Sequence, residues 1–277
     1  MSKKTYRIEL IFNRLFYLFF LIFLTIYSCE SKLTELSERD IIDGYGEIIK
    51  KNMKTLIITG QCTACIFNSI NLSERSLQDK NLSSSNFIKA NFAHSNLSNI
   101  NLSRANLTSS NMTKVNMTNA NLAGANLTGA NLTDSNLEGA NLTGANLTGA
   151  NLTGANLTDS KITWGTLIEV NLNKTNLTRA SLASANMERA IMIDANLSDA
   201  FLKEANLTSA NLKGANLARA NLYFVSLKNA MMVGVNFREA YLREANLDGA
   251  SLGNIKNLDS AIKCKTVFPW GEDNSTC

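Results

Sequence analysis

The sequence predicts a solenoid, a fold in which short repeated units stack as successive coils. The segment GANLTGANLTGANLTGANLT, residues 139–158, is one five-residue unit repeated four times. The register continues from Phe67 to Leu252 in steps of five without an insertion, and each of these 38 positions holds Leu, Phe, Met or Ile. The position two residues earlier is Ala at 22 of the 38. Such repetition is typical of chains whose units bury their apolar residues only against neighbouring coils.

A period of five suits neither common element. On an α-helix, successive central residues would lie about 140° apart, so no face would be apolar. On a flat strand, they would alternate between the two faces. We number the repeat from its central residue i: small at i−2, often Asn at i−1, mostly Thr or Ser at i+1, and often a turn-favouring residue at i+2.

These residues resemble the motif A(N/D)LXX of the pentapeptide repeat family, over about two-thirds of the chain. The resemblance implies an all-β solenoid, a right-handed quadrilateral parallel β-helix with four repeats in each square coil. The 38 repeats would give about 9.5 coils, stacked ~4.8 Å apart. Residues i and i−2 would point inward and fill the interior. We therefore expect the boundaries 1–28 for a signal peptide, 29–65 for an N-terminal cap, 66–262 for the β-helix and 263–277 for a capping tail.

The N-terminus reads as a targeting segment. Four basic residues precede an apolar run at 15–27, which is short for a membrane span and suits a signal peptide. The following residues resemble a bacterial lipobox, with Ser28 before the cleavage point and Cys29 as the lipid-bearing residue, although Tyr27 departs from that pattern. The predicted location is the bacterial cell envelope, lipid-anchored and facing the periplasm. Plain secretion, an uncleaved anchor and a cytosolic protein remain the alternatives.

Both ends of the repeat region are predicted to be capped. Helix-like apolar spacing occurs at Leu33, Leu36, Ile41 and Ile42, and again at Ile48, Ile49 and Met53. One or two short helices there would cover the first coil and shield an open sheet edge. Arg75 and Lys80 occupy the small inward position, so distortion or fraying is expected in the first coils. At the other end the register slips by one residue at Leu258, and the tail resembles the family's C-terminal ending.

Four cysteines remain beside Cys29. They are Cys62, Cys65, Cys264 and Cys277. On the rod that the resemblance implies, one pair lies at each end, and a disulfide requires Cα atoms within about 7 Å. A local bridge within each pair is the structural interpretation. Reduced thiols and a redox role for CTAC remain open.

Sequence patterns for catalysis, metal binding or cofactor binding are missing. The single histidine, His94, falls at an outward turn position, and glycines recur in turn positions rather than in a phosphate loop. The interpretation is a non-enzymatic protein with no cofactor, no metal site and no small-molecule substrate.

Charge argues against nucleic-acid binding and against DNA mimicry. Residues 66–262 carry 16 basic and 14 acidic side chains. Some family members resemble B-form DNA and act on DNA gyrase, but such mimicry requires a strongly acidic surface. One turn column alternates in sign through Asp159, Arg179, Asp199, Arg219 and Glu239, which suits a solvated face that avoids like-charge stacking.

The outward aromatic residues of the repeat region fall on one predicted side of the rod. They are Trp164, Phe201, Tyr223, Phe224 and Tyr241, in repeats whose centres differ by multiples of 20. Charged residues flank them, as in a protein–protein contact. A smaller aliphatic cluster on the opposite side comprises Ile191, Ile193, Met231 and Val233.

The leading hypothesis is an envelope-tethered repeat scaffold that presents a rigid rod to an unknown protein partner or to a second copy, with a membrane contact through the lipid at Cys29. The alternatives are a structural or stress-related envelope protein without a specific partner, and a gyrase-binding DNA mimic.

Overall fold

A computed structural model of the chain describes residues 45–277. The predicted signal peptide, Cys29 and the apolar spacing at residues 33–42 lie outside the described residues and stay predictions. Within residues 45–277, no helix is both long enough and apolar enough to cross a membrane.

The repeats form a right-handed quadrilateral β-helix. Parallel bridges link residues 20 apart in an unbroken series from Gln61↔Asn81 to Asn236↔Lys256. The ladder therefore begins one repeat before the expected residue 66, and Cys62 occupies the first buried central position.

Every backbone N–H of a typical repeat has an acceptor, as the repeat 126–130 shows. The amides of Leu127 and Gly129 donate to the next coil at 2.7 and 3.0 Å, and the amide of Asn126 donates to the previous coil at 2.9 Å. Ala130 N–H closes a turn onto Leu127 O at 3.0 Å. The remaining amide, that of Thr128, donates to the Asn126 side-chain Oδ1 at 3.1 Å. Asparagine recurs at i−1 because its side chain accepts the hydrogen bond of the i+1 amide, the one amide of each repeat that has no backbone acceptor.

The turn at each corner has a left-handed residue at i+2. Every fifth residue from Ala64 to Asn254 has a positive φ. This conformation at the third turn position, together with the i→i+3 hydrogen bond, is that of a type II-like turn. Glycine, Asn and Asp are well suited to it, and no β-branched residue occupies the position anywhere in the series.

The interior is filled by one large and one small side chain from each repeat. The central residues from Phe67 to Leu247 are buried, whereas Leu252, the last of the register, is half-buried. The expectation of frayed first coils is wrong for the described backbone, because the bridges Asn71↔Asn91 and Ser76↔Asn96 are regular. Lys80 is accommodated half-buried, since its flexible stem runs out beside Gly60.

One helix, α1 (Glu47–Thr59), precedes the first coil. Its buried residues are Met53 and Leu56. Asn52 Nδ2 donates to the open-edge carbonyl of Ile66 at 3.1 Å. Ile48, which the sequence placed on the apolar stripe, is exposed because the inward stripe follows the half-buried Ile49 and the buried Met53 and Leu56.

The C-terminal tail closes the other end. The bridge offset changes from 20 to 21 residues between Lys256 and Ile262, around a single 3-10 turn (Leu258–Ser260), which confirms the one-residue slip. The hairpin strands β1 (Thr266–Phe268) and β2 (Gly271–Asp273) pair antiparallel, and Phe268 is buried. Disulfides join Cys62 to Cys65 and Cys264 to Cys277, with Cα separations of 5.6 and 4.7 Å.

Candidate interaction face

Five stacked coils bring the outward aromatic residues together. The bridges Lys161↔Ser181, Ser181↔Phe201, Phe201↔Asn221 and Asn221↔Tyr241 place their repeats one above another on a single side of the β-helix. We call this side the aromatic face. It carries Trp164, Phe201, Tyr223, Phe224 and Tyr241.

Most of these aromatic rings are open to solvent. Trp164 is 67% exposed, Phe201 54%, Tyr241 51% and Phe224 47%. Tyr223 is half-buried and packs against Phe224, with ring centroids 4.3 Å apart. The charged groups of Lys203 and Arg243 lie 5.8 and 6.0 Å from the Tyr223 ring centroid, within cation–π range. Phe201, Tyr223, Phe224 and Tyr241 thus lie in three adjacent coils as an apolar patch with charged neighbours, which is the usual character of a contact surface, while Trp164 lies two coils from Phe201.

Two of the aromatic residues replace the asparagine that satisfies the backbone. Phe201 and Tyr241 occupy i−1, so the amides of Lys203 and Arg243 have no side-chain acceptor from their own repeats. Neither amide makes another hydrogen bond within the described part of the chain. Both amides belong to exposed residues and can reach water, so each aromatic forfeits one internal hydrogen bond, about 0.5–1.5 kcal/mol.

Two others occupy the left-handed turn position. Trp164 and Phe224 have φ values of 57° and 58°. Bulky side chains rarely adopt this conformation, which costs about 1–2 kcal/mol relative to glycine. Most turn positions of the series also hold a non-glycine residue, so what distinguishes Trp164 and Phe224 there is their large exposed rings.

A slot opens between Phe201 and Tyr241. Its volume is about 210 Å³, and it is lined by Asp199, Ala200, Phe201, Arg219, Asn221 and Tyr241. Asn221 lies between the two aromatic residues, one coil from each. Its Oδ1 accepts the Tyr223 amide at 3.1 Å, while its Nδ2 makes no hydrogen bond with any residue among 45–277. The slot thus offers aromatic walls and a free amide donor.

An ion pair closes one end of the slot. Arg219 donates two hydrogen bonds of 2.7 Å to the Asp199 carboxylate. The hydrogen bond from Arg219 lowers the pKa of Asp199, and it raises the pKa of Arg219 in return. Both groups are therefore charged at neutral pH, and the carboxylate keeps lone pairs for a further donor.

The alternating charge column forms pairs rather than a continuous ladder. Arg179 binds Asp159 at 2.6 Å in the same two-bond manner, which lowers the pKa of Asp159. Glu239 instead binds its neighbour Arg238 at 3.1 Å. These pairs are exposed and contribute little to stability.

The opposite side carries the smaller aliphatic cluster. Ile191 and Met231 occupy i−1 there, separated by Asn211, so they repeat the arrangement of Phe201, Asn221 and Tyr241 without aromatic rings. Both are exposed, while Ile193 and Val233 are half-buried. This cluster provides a matched comparison for the aromatic face.

Among the described residues, the single histidine and the four cysteines form no metal centre. His94 is exposed in a left-handed turn position. Within residues 45–277, no group of three or more His, Cys, Asp or Glu side chains could hold a metal ion. The two disulfides occupy the sulfur atoms of all four cysteines of this region.

The coil geometry defines a quadrilateral β-helical repeat protein. The model of the family described as pentapeptide repeats matches in 8 copies, over residues 65–104, 85–124, 100–139, 120–159, 166–199, 192–222 and 220–256. The chain belongs to the pentapeptide repeat family. Members of this family are typically structural or interaction proteins rather than enzymes. A search of curated proteins gives no match.

Solved structures of similar proteins share the repeat. HetL, a pentapeptide repeat protein involved in heterocyst differentiation regulation from the cyanobacterium Nostoc sp. strain PCC 7120, is 28% identical; the match covers 81% of this chain and 97% of HetL, with a TM-score of 0.55. Rfr23 from the cyanobacterium Cyanothece 51142 is 34% identical, covering 40% of this chain and 90% of its own, with a TM-score of 0.40. A pentapeptide repeat protein of the Arabidopsis thaliana thylakoid lumen is 31% identical, covering 36% and 69%, with a TM-score of 0.35.

Sequence reasoning found the aromatic residues but missed the slot. Asn221, Asp199 and Arg219 look like ordinary residues of the repeat. A signal was nevertheless present, because Phe201, Asn221 and Tyr241 are spaced by 20 residues and so had to stack in one column.

Proposed function

We propose that this protein is a non-enzymatic, envelope-tethered scaffold whose aromatic face binds a protein. The observation that carries the proposal is the local cost of that face. Trp164 and Phe224 hold strained turn positions, and Phe201 and Tyr241 displace the asparagine that the backbone uses. Residues that lower the stability of the fold in this way are expected at functional surfaces, where binding of a partner offsets the lost free energy of folding.

The composition of the face fits a protein partner. Exposed aromatic rings supply large apolar area with few rotatable bonds, and arginine and lysine at their edges supply polar contacts. Tyr223 and Phe224 lie against each other at the centre of this arrangement. We therefore assign them the largest share of the binding free energy.

The experiment is affinity capture from an envelope fraction with the tagged full chain. The double variant Tyr223→Ser, Phe224→Ser removes both central rings and touches no inward position, so the fold should persist. Capture of the partner should fall at least about tenfold, as for loss of hot-spot aromatic residues.

The control removes exposed apolar side chains from the opposite side. Ile191→Asn, Met231→Asn should capture the partner as well as the unaltered protein does. If both double variants and the unaltered chain capture the partner equally, the aromatic face is not the binding surface. The protein would then be interpreted as a structural rod without a specific partner.

We propose the lipid tether because Cys29 follows a basic segment and a short apolar run. Metabolic labelling with a palmitate analogue should modify the protein, and Cys29→Ser should abolish the label. Cys62→Ser provides the control, because that cysteine lies in the folded region and should keep the label on Cys29. Labelling that survives Cys29→Ser would refute the lipid anchor.

A further inference from the structure

Trp164 projects from the aromatic face without a neighbour that covers it. The turn residues directly below and above it in the stack are Gly144 and Ser184, both small. Its indole N–H finds no acceptor within residues 45–277. A large aromatic ring with an unused donor, held at a strained backbone position, is arranged to contact something outside its own chain.

The slot on the same face has the dimensions for one aromatic ring. Phe201 and Tyr241 are two coils apart, so their Cα atoms are separated by ~9.6 Å. Asn221 occupies the coil between them, so an entering ring would lie outward of the Asn221 side chain, ~4.8 Å along the rod from the coil of each wall, within the range of favourable aromatic pairs. The Asp199 carboxylate at the end of the slot can accept a further hydrogen bond, and an indole N–H is a donor of that kind.

The positions of Trp164 and the slot suit two-fold pairing. The chain crosses each side from i−1 to i+2, so Trp164 lies at one edge of the face and the slot at the other. They are three coils apart, or ~14 Å along the rod. A two-fold axis that lies in the contact plane, midway between them and perpendicular to the line that joins them, places each Trp164 over the slot of the second copy. Such an interface is isologous and closes on two subunits.

We propose that two copies of this chain form a two-fold dimer in which Trp164 of each copy enters the slot between Phe201 and Tyr241 of the other. The inference rests on the proposed contact face and names its occupant as a second copy. Both halves of the contact are present on one chain: an exposed ring with a donor, and an aromatic slot with an acceptor.

Complementation between two defective variants tests this arrangement. Trp164→Asn removes the ring and suits the left-handed turn, while Phe201→Asn, Tyr241→Asn removes the slot walls and restores the usual residue at i−1. Each variant alone loses both contacts of the symmetric dimer. In a mixture, the slot variant still has Trp164 and the Trp164→Asn variant still has a slot, so a heterodimer keeps one contact.

The measurement is sedimentation velocity of the full-length protein in detergent, with the two variants labelled by different dyes. The unaltered chain should form dimers, each variant alone should dimerise at least about tenfold more weakly, and the mixture should give a heterodimer tighter than either variant homodimer. Ile191→Asn, Met231→Asn should dimerise like the unaltered chain.

Three results would overturn the inference: a chain that stays monomeric, variants that dimerise normally, or a mixture without heterodimer. A monomeric chain whose aromatic face still captures another envelope protein would refute the dimer and leave the proposed function standing. Equal capture by the face variants and the unaltered chain would refute the proposed function itself.

Discussion

At the scale of single residues, the turn position i+2 selects side chains by backbone conformation. All residues at this position from Ala64 to Asn254 have positive φ, yet many carry long polar side chains that reach solvent. The space available to the side chain is therefore not what generally restricts the residue at i+2. The absence of β-branched residues follows from steric conflict near their own backbone.

Gly144 isolates this backbone effect. Its φ is 65°, and a Cβ atom added there would meet nothing within 4 Å. Gly144→Val should lower the free energy of unfolding by about 1–2 kcal/mol, whereas Gly144→Asn should be close to neutral. Thermal unfolding followed by circular dichroism would compare the two. Equal effects would mean that backbone conformation does not govern the position.

Asparagine at i−1 shows a limit of sequence reasoning at this scale. Its recurrence is evident from the sequence, but its role depends on which backbone amides the coil leaves unpaired. Only the hydrogen bonds of a repeat such as 126–130 reveal that one amide of five needs a side-chain acceptor. The sequence alone therefore does not show that Phe201 and Tyr241 each leave a backbone amide without an acceptor.

At the scale of the coil, stability comes from one apolar residue of each repeat stacked on the same residue of neighbouring coils. Leu147 is 1% exposed, and its amide donates to Thr166 O at 2.7 Å. Burying a charge there is costly because no cationic side chain is buried among residues 67–252 to pair with it.

Leu147→Asp should destabilise the β-helix by several kcal/mol, enough to cause unfolding or aggregation. The control is Thr148→Ser on the next residue, which keeps the hydroxyl that donates to Asn146 Oδ1 at 2.7 Å. Unchanged melting of Leu147→Asp would contradict the inward assignment of this register.

The regular coils were the most predictable element, and the ends were the least. An unbroken five-residue register fixes which residue points inward, so the interior from Phe67 to Leu247 follows directly. The ends depend on single contacts instead. Gln61 joins the ladder although its repeat has Cys62 rather than Leu at the centre, and Lys80 is tolerated because its stem reaches past Gly60.

At the scale of the whole molecule, four similar sides differ in what they present. Each side contributes the same kind of inward residues, one large and one small per repeat. Differences among the outward residues of the four sides therefore do not contribute to packing of the core. The aromatic face is the side where exposed aromatic rings occupy both left-handed turn positions and positions that usually hold asparagine. We infer that the rod acts as a rigid support for that face.

The aromatic column could be predicted from sequence, whereas its slot could not. Spacing by 20 residues places Phe201, Asn221 and Tyr241 in one stack. The ion pair that closes one end of the slot could not be predicted, because the sequence allows Arg219 to pair with either Glu239 or Asp199. Only the side-chain geometry shows that it binds Asp199.

The most direct test of the account is a comparison of binding by two matched double variants. Phe201→Asn, Tyr241→Asn and Ile191→Asn, Met231→Asn make the same change at the same repeat positions, two coils apart on opposite sides. The first variant offers acceptors to the amides of Lys203 and Arg243, and the second offers one to the amide of Val233, whereas the Ile193 amide already donates to Asn173 Oδ1 at 2.9 Å. Neither variant should therefore melt below the unaltered protein. Capture of the bound protein, whether a partner or a second copy, should fall at least about tenfold for the first variant only. Equal binding by the two variants would contradict the claim that the aromatic face is a contact surface.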